Sequence, residues 1–207
     1  MVSASPAPAA SPTRSPVAED RIRGLTLIIG MVVVMWALEV FDLVGAGFDS
    51  DGIHPRDADG LPGIALAPFL HAGWGHLIGN TVPFLVLGFV IALGGLVRTA
   101  AVTVIVALVA GFGTWLFAPG NTNHIGASGL VFGFAAYLIA RGVFSHRALH
   151  IVVGLAVLAV YGSTLAFGFA PTPGVSWQGH LFGAIGGVVA ARVLYASSTR
   201  RPSPAAS

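Results

Sequence analysis

Apolar positions in this chain fall in long runs, with neither the two-residue alternation of strands nor the narrow stripe of amphipathic surface helices. Runs occupy about 24–44, 71–97, 99–118, 126–141, 148–170 and 176–196. A helix needs about 20 apolar residues to cross the hydrocarbon of a bilayer. With short polar or Pro/Gly punctuation between them, the runs predict six membrane-crossing helices, an all-α polytopic fold. The first run follows Arg21 and Arg23 and is too long for the apolar core of a cleaved signal peptide, so it reads as a retained anchor. Residues 45–70 break the pattern. They carry Asp49, Asp51, Arg56, Asp57 and Asp59 among the breakers Gly52, Pro55, Gly60, Pro62 and Gly63, a composition suited to water or an interface, and read as one long outer loop. Residues 1–20 are rich in Ala, Ser and Pro, with too few large apolar side chains to offset the entropy of ordering. They read as a disordered tail, as do 198–207, which leaves 21–197 as a single membrane domain.

Composition agrees with lipid as the solvent. The chain is 55% hydrophobic and 9% charged, with a mean hydropathy of +0.85, well beyond what a soluble domain of this length needs to fill one core. The net charge of +2 comes from ten arginines and no lysine. They are scattered rather than gathered in a basic stripe, which gives no support to a nucleic-acid partner. With the N-terminus in the cytoplasm, Arg14, Arg21, Arg23, Arg98, Arg141, Arg147, Arg192, Arg200 and Arg201 fall inside and Arg56 alone falls outside, the asymmetry expected of a protein in a bacterial cell membrane. The absence of cysteine excludes a thiol nucleophile, a disulfide and a thiolate metal site.

Three segments carry candidate chemistry, all near the outer face. The fourth run opens with Gly126-Ala127-Ser128-Gly129, a serine at a helix start between glycines that permit close approach; Gly129 and Gly133 also fit a face of small residues for helix packing. The sixth contains Gly179-His180-Leu181-Phe182-Gly183 and continues to Gly187, an imidazole on a glycine face. An ionisable group there reads as functional or as a neutral ring bonded to a carbonyl. In the second, His76 and Asn80 are four apart and share a helix face. Both can donate to one point, as stabilisation of an oxyanion requires, or join an interhelical polar network. His71, His76, His124 and His180 could share one side of the membrane as a metal site. Every carboxylate, however, lies between Glu19 and Asp59, and no H-E-x-x-H occurs, so neither a metal nor another cofactor is expected. The same inventory makes a Ser/His dyad simpler than a triad. Glu39 and Asp42 suit loop anchoring better than a proton relay, and Trp36, Trp74, Trp115 and Trp177 suit the interface.

Taken together and in this order, His71-x4-His76-x3-Asn80, Gly126-Ala127-Ser128-Gly129 and Gly179-His180-x2-Gly183-x3-Gly187 resemble the rhomboid intramembrane serine proteases over about residues 24–196. The resemblance implies a six-helix rhomboid-like bundle, Ser128 as nucleophile and His180 as general base and then acid. It also implies an oxyanion hole of His76, Asn80 and the Ser128 backbone N–H, and a structural role for His71. Gly183 and Gly187 would bring the sixth helix against the fourth. Two departures stand out. Phe132 occupies the place of a Tyr that packs on the catalytic histidine in many rhomboids, and Pro62-Gly63 stands where many bacterial members carry a Trp-Arg pair that braces the first loop. The implied partners are single-pass membrane proteins cut within their transmembrane segments, with Ala170-Pro171-Thr172-Pro173-Gly174 as a candidate lid. The alternatives are a non-catalytic rhomboid-like protein that binds client helices, and a small transporter that uses the buried histidines.

Overall fold

The computed structural model describes residues 15–196, and among these the regular structure is helical throughout. Helix α1 (Pro16–Leu43) is followed by a short α2 (Gly63–Leu66) and then by α3 (Trp74–Ala92), α4 (Leu96–Phe117), α5 (Ser128–Ser145), α6 (Ala148–Gly168) and α7 (Trp177–Ala196). Helices α1, α3, α4, α5 and α6 are long and apolar enough to cross a membrane; α7 is the 20-residue helix that carries His180. The fold is thus the all-helical, polytopic bundle expected. Its centre is α5, whose apolar span is 61% buried against 11% for α6. Helix α5 packs chiefly on α7, and α7 on α4, while α1 lies against α3 and α4.

The first helix begins earlier than the hydrophobic pattern indicates. Residues 15–20, expected in a disordered tail, include the N-cap and first turn of α1: the Ser15 hydroxyl accepts from the Ala18 N–H at 3.3 Å, and Pro16 occupies the first turn. Asp20 does a second task, since its carboxylate accepts from the Leu96 N–H at 3.1 Å and so caps α4. Capping and helix-dipole terms therefore extend the helix past the point where apolar burial ends. The rest of the expected tails, 1–14 and 198–207, lies outside the described residues, as does residue 197 of the expected membrane domain. The second run divides sooner than expected. Helix α3 ends at Ala92 and α4 starts at Leu96, through Gly95 at φ 89°, where a Cβ would collide with Asp20.

The long loop is largely ordered into single turns: 3-10 segments at Phe48–Asp51, Ala58–Gly60 and Ala67–Phe69, and α2. Asp42 anchors its start by accepting from the Phe48 N–H at 2.7 Å. In place of a Trp-Arg pair at Pro62-Gly63, the brace is built from Arg56 and Trp115. The Arg56 guanidinium donates to the carbonyls of Leu116 (3.1 Å) and Ala118 (2.6 Å), which the end of α4 leaves without helical partners. Trp115 donates its indole N–H to the Asp57 carbonyl at 2.8 Å and accepts at its own carbonyl from the Arg56 N–H. Ile53, Ile64 and Ala67 form a small core under this brace. At Gly63 a Cβ would run into the Gly52 carbonyl, so the loop closes on itself where the pair is missing.

Candidate active site

Ser128 is the first residue of α5. The turn before it is fixed by backbone and imidazole. Gly126 adopts φ 111° and lies against the His76 ring, where a Cβ would collide, and its N–H donates to the Ala67 carbonyl at 2.8 Å. The next N–H, that of Ala127, donates to His71 Nε2 at 3.4 Å, while His71 Nδ1–H donates to the Phe69 carbonyl at 3.3 Å. His71 is thus required neutral, and burial, with His76 beside it, pulls its pKa down from 6.5 to about 4. Through these two bonds it ties the end of the long loop to the start of α5.

His180 sits in the first turns of α7 and is 7% exposed. Its Nδ1 lies 2.7 Å from the Gly168 carbonyl at the end of α6. A carbonyl can only accept, so Nδ1 carries the proton, and in the neutral ring Nε2 keeps its lone pair. The sixth run's two readings, base and carbonyl-bonded neutral ring, are therefore compatible. Phe132 stacks on the imidazole at 4.0 Å between centroids and 5° between planes, with Phe169 edge-on to Phe132 at 5.5 Å. Loss of the tyrosine hydroxyl leaves that stack in place. The glycine faces bring α5 and α7 into backbone contact: a Cβ on Gly183 would meet the Gly129 carbonyl, and one on Gly187 the Gly133 carbonyl.

Ser128, His180, His76 and Asn80 all line one cavity of about 690 Å³, from α5, α7 and α3. Asn80 donates to the His76 carbonyl at 3.1 Å and is buried. Among the described residues no hydrogen bond joins the Ser128 hydroxyl to His180. Gly75 and Gly79 leave the α3 wall open, and Gly174, the last residue of the lid candidate, lines the cavity with Val175. From the long loop comes Asp49, whose carboxyl is pushed up from 3.8 to about 6 by burial and by the neighbouring Asp42 carboxylate. No three His, Asp or Glu side chains among the described residues are grouped as a metal centre requires. Sequence reasoning missed Gly168, which acts through a backbone carbonyl that any residue would supply, and Asp49, which it assigned only to the loop.

A sequence model of the Rhomboid domain matches residues 60–197, from the long loop through α7. The chain belongs to the rhomboid family. Within the match lie the two histidines and the asparagine of the α3 segment, Ser128 and His180; α1 and the Asp49–Arg56 part of the loop precede it. Among its relatives are uncharacterized proteins of Mycobacterium tuberculosis and Mycobacterium bovis, each 48% identical over 183 residues that cover 84% of this chain and 76% of theirs. An uncharacterized protein of Mycobacterium leprae is 45% identical over 185 residues, 84% of this chain and 72% of its own.

Proposed function

We propose that this rhomboid is an intramembrane serine endopeptidase that cleaves transmembrane segments of other membrane proteins with a Ser128/His180 dyad. The observation that carries the reading is the His180 tautomer. The Gly168 carbonyl holds the proton on Nδ1, so the nitrogen left free to take a hydroxyl proton is Nε2, on a ring that shares a cavity with Ser128. Ser128 Oγ attacks the scissile carbonyl as its proton passes to Nε2. The tetrahedral oxyanion takes hydrogen bonds from His76, Asn80 and the Ser128 N–H. Collapse releases the amine, which receives the proton from His180. Water then repeats the sequence against the acyl-enzyme, with His180 as base. Water and substrate both need an opening at the outer face; the 170–174 segment would act as the lid. In this reading the N-terminus is cytoplasmic, the membrane is that of a bacterial cell, and the substrates are single-pass proteins with a loosely helical segment beside the cut.

The test is labelling of purified protein with a serine-directed fluorophosphonate, in which the Ser128 Oγ–P bond forms, fluoride leaves and His180 takes the proton. Loss of labelling in Ser128→Ala and in His180→Ala, with loss of cleavage of a transmembrane reporter, is the expected result. Full proteolysis by Ser128→Ala would sink the assignment. An unlabelled but well-folded wild type would move the reading to a client-binding protein.

A further inference from the structure

The nucleophile and the base stand on different helices, and the cavity lies between them. Two glycine contacts fix α5 against α7 below the cavity. Above it, one side-chain hydrogen bond joins the segments that lead into the two helices: His124 Nδ1 lies 2.7 Å from Ser176 Oγ. His124 precedes Ser128 by four residues, and Ser176 precedes His180 by four. The bond therefore ties the two chemical groups at equal offsets, on the side of the cavity opposite the glycine seam.

Its direction follows from the donors. Thr122 Oγ1 lies 2.6 Å from the Pro119 carbonyl, which can only accept, so the threonine proton is committed there. The Thr122 oxygen then accepts from His124 Nε2 at 2.7 Å; in the neutral ring, which burial favours, Nδ1 is unprotonated and Ser176 is the donor to it. Ser176 Oγ in turn accepts from the Gly179 N–H at 3.3 Å, in the manner of a helix N-cap, and the Ser176 carbonyl accepts from the His180 N–H. One oxygen thus caps the helix that carries the base and holds the loop that leads into the helix of the nucleophile. The other end of the chain is anchored as well. Ile53 and His124 exchange both backbone hydrogen bonds, at 3.0 and 3.1 Å, so the long loop fixes the His124 main chain while Ser176 holds its ring. Both His124 and Ser176 line the cavity.

From this geometry we infer that His124 and Ser176 form a latch that positions the dyad: His124 is a positioning residue for Ser128 and His180, acting through Ser176. The inference rests on the proteolytic reading for its catalytic consequence, though the latch itself does not. Attack by a bound nucleophile tolerates little error, and a displacement of about 1 Å can cost on the order of 10²-fold in rate. A ring whose only task were to fill space would be replaced without loss by Phe. A serine whose only task were to cap α7 would act independently of His124.

The experiment compares wild type, His124→Phe, His124→Asn, Ser176→Gly and the double variant His124→Phe/Ser176→Gly. Gly is a tolerable N-cap and removes the hydroxyl, and Asn retains an acceptor near the Nδ1 position. For the saturating rate of fluorophosphonate labelling, we expect a fall of roughly tenfold in each of His124→Phe and Ser176→Gly, with half-saturation unchanged. The double variant should be no slower than the slower single, and His124→Asn should recover most of the rate. Rates within twofold of wild type in His124→Phe, or losses that multiply in the double variant, would overturn the latch. Amide hydrogen exchange in residues 177–181 is read in parallel. If wild type fails to label, the proteolytic reading falls by itself, and faster exchange there in His124→Phe still supports the latch whereas unchanged exchange refutes it.

Discussion

Asp49 and His71 lie a few residues outside the spans, and burial acts on them in opposite senses. Asp49 has its folded pKa raised to about 6, so its ionised form is disfavoured in the folded state; the cost is absent below the unfolded value of 3.8 and complete above 6. Asp49→Asn is expected to raise the thermal midpoint at pH 7.5 and to leave it unchanged near pH 4, as a melting series in detergent would show. His71 has its folded pKa lowered to about 4, so its contribution is complete above 6.5 and is lost as pH falls toward 4. His71→Gln should flatten the acid limb of the same series; an unchanged slope would remove His71 from the account. At Phe132 the ring stack on His180 gives a third expectation. Phe132→Leu should slow labelling about two- to thirteenfold, the rate equivalent of the roughly 0.5–1.5 kcal/mol of an aromatic pair, while Phe132→Tyr should not. At this scale the sequence was legible wherever a side chain has few uses in lipid: Ser128, His180, His76 and Asn80 are conspicuous among Leu, Val, Ala and Gly. Arg56 and Trp115 were conspicuous too, yet their pairing was hidden, because their partners are mainly carbonyls and every residue carries one.

Among helices, the decisive pair is α5 with α7. Their axes approach so closely that glycine carbonyls of one occupy the space of side chains on the other. Gly187→Ala is therefore expected to destabilise the bundle by about 1–3 kcal/mol, since overpacking meets rigid backbone rather than a movable side chain. Gly30, with open space around its Cβ position, is the control: Gly30→Ala should cost nothing in the same thermal assay. The glycine spacing was readable as a small-residue face, and the helix lengths followed from the apolar runs. Helix ends were read less well. The start of α1 at Pro16 depends on a serine cap, and the break at Gly95 on the carboxylate of Asp20, 75 residues away. Hydropathy records neither.

For the molecule as a whole, the arginine distribution sets the expected orientation, and the absence of cysteine makes it simple to test. A membrane-impermeant maleimide should label Thr172→Cys in intact cells and Arg147→Cys only after lysis; the reverse pattern would invert the topology and place the cavity on the cytoplasmic side. The sequence by itself determined that the chain lives in lipid, roughly where each helix runs, and which polar residues stand out as candidate chemistry. The cause is the solvent: hydrocarbon penalises unsatisfied polar groups so heavily that long apolar runs have few structures open to them, and the polar exceptions identify themselves. Only the tertiary structure decided which nitrogen of His180 is free, what braces the long loop without a Trp-Arg pair, and that His124 reaches Ser176. Those outcomes depend on hydrogen bonds between residues up to 62 positions apart, many of them to main-chain carbonyls, and one-dimensional patterns of side-chain polarity carry no trace of them.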